Sequence, residues 1–120
     1  MRVREIQFYR AASGHCPVEE FLESLPGKQA QKVVWVLGLV EELERVPKQY
    51  FKKLIGTEDL WEVRAQHGGD TFRLLGFFDG PKVVVLVSGF AKKSQKTPGP
   101  EIVRAEQRKR DYLSRKGTHE

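Results

Sequence analysis

The chain has 120 residues, the length of one small domain, so we expect residues 1–120 to fold around a single core. Hydrophobic residues make up 39% and charged residues 31% of the sequence, which predicts a folded domain with a soluble surface and excludes a disordered chain. No apolar run approaches the roughly 18 residues that a spanning helix needs. Residues 1–5 lack an apolar signal core, so we expect a cytoplasmic protein without a membrane segment.

The positive charge is concentrated at one end of the sequence. Residues 1–88 carry twelve basic and twelve acidic side chains, whereas residues 89–120 carry nine and four, so the whole net charge of +5 lies in the last quarter. Such a segment favours a polyanionic partner, because lysine and arginine displace condensed counterions from phosphates. A solubilising surface helix accounts for the charge alone equally well.

The first half of the sequence predicts a strand and two helices. Residues 3–10 alternate loosely and indicate an edge strand, and residues 17–25 have helical spacing with Pro17 in the first turn. A Pro-Gly break precedes a second helix over residues 28–46, whose broad apolar stripe, widened by Trp35, should be largely covered. Two helices joined by a short turn are stable only against a sheet.

The second half predicts that sheet. Residues 60–66 and 70–78 alternate on either side of Gly68-Gly69, a two-residue turn that places Arg64 directly opposite Arg73. Like charges in that position cost roughly a few tenths to 1 kcal/mol, so the pair indicates function rather than stability. The alternative is two separately solvated arginines.

A third strand of this sheet, residues 82–90, is almost entirely apolar. A two-residue turn before it would place alternate side chains on the Arg73 side, namely Val84, Leu86, Ser88 and Phe90. Extending this alternation carries Lys92 to the same face. Three cations from three strands are therefore predicted on one surface.

The sequence offers little other chemistry. The three histidines are isolated and the single cysteine, Cys16, is interpreted as structural, so neither a metal site nor any cofactor is expected. No nucleophile elbow or phosphate-cradling loop occurs. Arginine forks bind phosphate oxygens in pairs, and lysines beside other cations can be tuned for proton transfer. The reaction that suits such groups without a metal is attack of an RNA 2′-hydroxyl on the adjacent phosphate.

Three segments carry a resemblance to a known family: "LWEVRA" (60–65), "FRLLGFF" (72–78) and "VVVLVSGFAKKSQKTPGPEIVRA" (83–105). They resemble the RelE/HigB superfamily, specifically its phage-derived, host-toxicity branch. The resemblance implies an α+β fold with an antiparallel sheet, mixed at the edge, an N-terminal helical hairpin and a C-terminal basic helix. It further implies a type II toxin that cleaves mRNA in the ribosomal A site and is neutralised by a helix-turn-helix antitoxin.

The same resemblance implies roles for individual residues. Arg64 and Arg73 correspond to the catalytic cations of two strands, with Arg73 on the scissile phosphate, and Lys92 and Lys93 follow the last strand where relatives place another cation. The general acid or base is left between Tyr112 and His67. The alternative for Tyr112 is packing, together with Leu113, against the sheet.

RNA contacts are expected on the basic helix over residues 99–117 and beside the sheet, from Lys52, Lys53, Lys96, Arg104 and Arg108. Two other functions stay open. One is a non-catalytic module that binds RNA, the ribosome or another protein on the same scaffold, and the other is a structural protein with a merely basic tail. Whether the free chain is a homodimer is also left open.

Overall fold

The computed structural model describes residues 2–91 and 96–117, and it shows an α+β fold in which two helices and a third flank a five-stranded mixed sheet. In chain order the elements are β1 (Glu5–Phe8), α1 (Pro17–Ser24), α2 (Gly27–Glu42), β2 (Phe51–Lys53), β3 (Trp61–His67), β4 (Asp70–Asp79), β5 (Val83–Ala91) and α3 (Gly99–Gly117). The sheet order is β1-β5-β4-β3-β2, with β1 parallel to β5 and the other neighbours antiparallel. The predicted fold class is confirmed, whereas the three-residue strand β2 was missed because it is too short to show alternation.

The helical hairpin α1–α2 packs on one face of the sheet. Val33, Val36 and Val40 of α2 are fully buried against Val63 and Leu74 of the sheet. The helix ends at Glu42, four residues before the predicted end. Helix C-termini leave carbonyl groups without intrahelical partners.

Arg4 fills this need at the end of α2. Its guanidinium donates hydrogen bonds to the carbonyl oxygens of Val40 (3.0 Å), Leu43 (2.6 Å) and Glu44 (2.7 Å). A side chain distant in sequence therefore helps to end the helix, which explains why periodicity alone placed the end too late.

The expected coverage of α2 is wrong for one side of the helix. Val34 and Trp35 are 55% and 50% exposed, because only the side bearing Val33, Val36 and Val40 faces the sheet. Trp35 packs edge-on against Tyr50, with ring centroids 5.9 Å apart, and the ammonium of Lys32 lies 4.4 Å from its ring.

The predicted β3–β4 hairpin is confirmed in its turn and register. His67 pairs with Asp70 across a Gly68-Gly69 loop in which Gly68 alone has a positive φ, +64°, which is the pattern of a type II′ turn and not of the type I′ turn that two glycines would also allow. Arg64 lies directly opposite Arg73.

The register between β4 and β5 differs from the prediction. The loop has three residues, since Asp79 pairs with Val83, and this places Val84 and Leu86 on the side of the helical hairpin. An extra residue in β5, Val87, then forms a bulge, so that Ser88 lies opposite Leu75 on the Arg73 side. The prediction is therefore wrong for Val84 and Leu86 and correct for Ser88 and Phe90, which pairs with Arg73.

Helix α3 covers the other face of the sheet, with the predicted bounds. Ala105 is fully buried in a cluster with Leu75, Phe77, Val85 and Val87. Both faces of β4 and β5 are thereby covered, which accounts for their nearly continuous apolar sequence. Cys16 is buried at the start of α1, and no helix within the described ranges could cross a bilayer.

The bulge generates a stability prediction. A Cβ atom on Gly76 would lie 2.3 Å from the carbonyl oxygen of Val85, whereas a Cβ on Gly38, within α2, would meet nothing within 4 Å. We expect Gly76→Ala to lower the free energy of unfolding by about 1–3 kcal/mol through overpacking. Gly38→Ala should leave it unchanged or raise it by up to about 1 kcal/mol. Urea unfolding of both variants checks this, and equal stability of the two would contradict the close approach at Gly76.

Candidate functional site

The two opposed arginines share one carboxylate. Glu62, two residues before Arg64 and therefore on the same face of β3, lies between them. Its Oε2 is 3.3 Å from Nη1 of Arg73, and its Oε1 is 3.3 Å from Nη2 of Arg64. The side chains of Glu62 and Arg73 are 0% and 3% exposed, while that of Arg64 is 20% exposed. The like-charge pair is thus compensated by an anion from the same face of β3, a pairing that the alternation of the strand does not reveal by itself.

A fourth member joins from beyond β5. The hydroxyl of Thr97, which is itself buried, donates a hydrogen bond of 2.7 Å to Oε2 of Glu62. This bond is shorter than the arginine contacts, which exceed the 2.7–2.9 Å of a well-formed charge-assisted pair. We call Arg64, Glu62, Arg73 and Thr97 the arginine–glutamate network. Thr97 was not predicted, although it stands inside the lysine-rich segment that carried the family resemblance.

The network gives its two arginines different positions. Arg73 lies in the interior and directs Nη1 at Glu62, so its proposed contact with a phosphate stays a prediction. Arg64 reaches the surface beside a cavity of about 280 Å³. That cavity is lined by Lys32, Gln49, Tyr50, Arg64 and Gln66. Two cations and two amides in one polar cavity can bind an anion by charge and by hydrogen bonds.

The predicted lysines divide into two groups. Lys92 and Lys93 lie outside the described residues. Lys52 lies opposite Glu62 in the β2–β3 register, so it shares the face of Arg64, and Lys53 forms an exposed ion pair of 2.9 Å with Asp59. Lys96 is exposed one residue before Thr97.

The structure does not bring His67 or Tyr112 to the arginines. His67 is exposed at the end of β3 and, three residues from Arg64, it falls on the opposite face of the strand. Tyr112 packs edge-on against Phe77 at 5.5 Å and donates a 2.7 Å hydrogen bond to Oδ2 of Asp79. Asp79 is six residues from Arg73 along β4, which corresponds to about 20 Å.

Burial of the Tyr112 phenol, assisted by its hydrogen bond to Asp79, raises its pKa to about 12. The phenol therefore stays protonated at neutral pH. Tyr112 packs against the sheet as the alternative interpretation expected, although its neighbour Leu113 is 43% exposed rather than packed.

The basic side chains of α3 make ion pairs and hydrogen bonds, while those of Arg104, Arg110 and Lys116 stay more than half exposed, so part of the expected basic surface is present. Arg108 donates to the carbonyl of Val87 (2.9 Å) and to Oγ of Ser88 (2.8 Å), and burial lowers its pKa. The remaining cations pair with nearby oxygens, in the contacts Arg104–Glu101, Lys109–Glu58 O, Arg110–Glu58, Arg115–Asp111 and Lys116–Asp79. Arg108 thus links α3 to the bulge of β5 by hydrogen bonds, whereas the side chain of Arg104 is about half exposed.

Within the two described ranges, no group of histidine, cysteine, aspartate or glutamate side chains is arranged to hold a metal ion.

Removing the charge of Glu62 should destabilise the fold. Glu62→Gln removes the carboxylate that both guanidinium groups contact, and breaking a buried ion pair by removing one partner costs about 3–5 kcal/mol. The matched control is Glu23→Gln on the exposed surface of α1, which should change the free energy of unfolding by less than about 0.5 kcal/mol. Urea unfolding measures both. Similar values for the two variants would show that the network contributes nothing to stability.

Tyr112 generates a prediction about alkaline pH. Because its folded-state pKa of about 12 exceeds the ordinary value of 10.0, its stabilisation is complete below pH 10 and is lost as the pH rises to 12. The free energy of unfolding should therefore fall more steeply over this range in the unmodified protein than in Tyr112→Phe. Both proteins share the titration of the lysines, so the difference isolates the phenol, and parallel curves would contradict its placement.

Comparison with known proteins places the chain in a family. Residues 20–110 match the family described as phage derived protein Gp49-like (DUF891), and the match extends from α1 into α3 and includes the whole arginine–glutamate network. Comparison with curated proteins gives no match. Since the match covers well over half of the sequence, the chain belongs to the Gp49-like family of phage-derived proteins.

Proposed function

We propose that this protein is the toxin of a type II toxin–antitoxin pair and that it cleaves translated mRNA on the ribosome. Membership of the Gp49-like family supports a toxin. The resemblance of residues 60–65, 72–78 and 83–105 to RelE/HigB toxins supports the finer assignment, including a helix-turn-helix antitoxin as partner.

The observation that best supports RNA cleavage is the arginine–glutamate network. Glu62 holds two guanidinium groups on one face of the sheet, and the outer one, Arg64, is partly exposed beside a polar cavity. An arginine already oriented by a buried carboxylate needs little reorganisation to bind a phosphate.

In the proposed reaction the RNA 2′-oxygen attacks the adjacent phosphorus while its proton passes to a base. The bond from phosphorus to the 5′-oxygen breaks, and that oxygen receives a proton, so the products are a 2′,3′-cyclic phosphate and a 5′-hydroxyl. Arg64 stabilises the added negative charge on the phosphorane. Proton transfer is assigned to Lys92 or Lys93, because Tyr112 is held about 20 Å along β4 from Arg73 and His67 lies on the other face of β3.

The RNA backbone is proposed to contact Lys52, Lys53, Lys96 and Arg104. Lys52 shares the face of Arg64, and the other three side chains are exposed. Such contacts contribute affinity and its dependence on salt rather than chemistry. Arg108 is left out of this set because its guanidinium is bonded to β5.

A second candidate function is a non-catalytic module that binds RNA or the ribosome. The burial of Arg73 and its ion pair with Glu62 favour this alternative, because they give the inner arginine a structural role. It predicts ribosome association without cleavage.

Replacing the exposed arginine separates the two functions. Primer extension on mRNA from expressing cells should reveal cuts that require translation, and Arg64→Ala should reduce them about 10²- to 10³-fold. The matched control is Arg110→Ala, which removes an exposed arginine paired with Glu58 and should leave cleavage unchanged. Circular dichroism checks that both variants fold. Full cleavage by Arg64→Ala refutes the assigned role, and ribosome binding without any cuts in the unmodified protein supports the module.

A further inference from the structure

A second surface lies along β2, at the edge of the sheet. A cavity of about 620 Å³ opens there, and its floor is apolar. The rings of Phe51 and Trp61 stack with centroids 4.8 Å apart, and the apolar side chains of Leu54 and Ile55 also line the cavity. Ile55 is fully exposed, so a ligand that covered it would bury apolar surface.

Three lysines line the same cavity: Lys48, Lys52 and Lys53. No acidic side chain lines it among the described residues, although Asp59 pairs with Lys53 from the neighbouring loop. We call this cavity, with its apolar floor and lysine rim, the β2 groove. Its positive rim complements an acidic ligand.

The backbone of β2 adds hydrogen-bonding groups to the groove. The carbonyl of Tyr50 accepts from the N–H of Arg64, and the N–H of Leu54 donates to the carbonyl of Leu60, each at 2.8 Å. Because antiparallel strands alternate the direction of these groups, the N–H and C=O of Lys53 point away from β3. Among the described strands β2 pairs with β3 alone, so this side of β2 is an open strand edge.

We propose that the β2 groove binds an extended acidic segment of a partner protein. The segment adds a strand beside β2, bonds through its backbone to Lys53 and alternates apolar with acidic side chains. The apolar side chains then cover Trp61 and Ile55, while the carboxylates meet the lysines of the rim.

The groove fits a peptide better than RNA. Lys53 presents both a donor and an acceptor to the open side, and a peptide strand matches both, whereas the phosphates of RNA only accept. The inference goes beyond the proposed function, since it requires no catalysis. It has a consequence for that function, because a bound segment would cover Lys52 and Lys53 and would therefore compete with RNA.

The test uses three synthetic fluorescent eight-residue peptides and the full chain. One peptide alternates glutamate with valine, the second replaces every glutamate with lysine, and the third is the acidic peptide with alternate backbone amides N-methylated. Fluorescence anisotropy should show binding of the acidic peptide, with at least tenfold weaker binding of the other two. An eight-residue oligouridylate, titrated against the same preparation, reports binding of RNA.

Charge reversal locates the site. The double substitution Lys48→Glu with Lys53→Glu should weaken binding of the acidic peptide about tenfold, because two exposed ion pairs are lost. Reversing exposed lysines elsewhere, Lys28→Glu with Lys82→Glu, makes the same change in net charge and should have no effect beyond about twofold. If the charge-reversed variant does not fold, the double variant Lys48→Ala with Lys53→Ala takes its place in the binding measurement. Circular dichroism checks that this variant folds.

Three results would overturn the proposal: equal binding of the acidic and basic peptides, undiminished binding after N-methylation, or oligouridylate binding through Lys48 and Lys53 without any binding of the acidic peptide. These measurements contain no ribosomes or mRNA. Loss of peptide binding and absence of nuclease activity can therefore be told apart.

Discussion

The structure depends on the single carboxylate of Glu62. The β3–β4 hairpin brings Arg64 and Arg73 directly opposite each other, an arrangement that repels unless an anion lies between them. Glu62 supplies that anion on the same face, and Thr97 donates a further hydrogen bond to it. Removing one partner of a buried ion pair is strongly destabilising, so Glu62 and the two arginines depend on one another.

Ion pairs also form along α3. The C-terminal region carries the net positive charge of the chain, yet its helical cations pair with oxygens of Glu58 and Asp79 in the neutral body and with Glu101 and Asp111 of α3 itself. Exposed pairs of this kind contribute little energy individually, so the helix is held mainly by apolar contacts around Ala105 and by the buried part of Arg108. The excess positive charge of this region therefore lies on a helix that packs against the sheet, and not on a separate basic tail.

Two surfaces of the sheet consequently differ in character. The face of Arg64 presents an oriented cation beside a polar cavity, which suits a phosphate, while the β2 groove presents apolar side chains and an open strand edge, which suit a peptide. Lys52 belongs to both, since it lies opposite Glu62 and also lines the groove. The two proposed ligands would therefore compete for Lys52.

Local periodicity and turn chemistry made part of the structure predictable before its tertiary packing was known. Alternation with a period of two and the Gly68-Gly69 turn specified the hairpin and the opposition of Arg64 and Arg73, and helical spacing specified α1, most of α2 and all of α3. Packing between distant segments determines the other features: the end of α2, which Arg4 caps, the bulge at Val87, the exposure of Trp35 and the positions of Tyr112 and Arg108. Glu62 is only two residues from Arg64 in the sequence. Its role could not be predicted, because the sequence does not show that Thr97 covers Glu62 and that its carboxylate is buried. A charged side chain that is buried must be paired, because an unpaired charge is costly away from water. Whether a side chain is buried depends on how separate segments pack together, which the residue pattern of a single segment does not show.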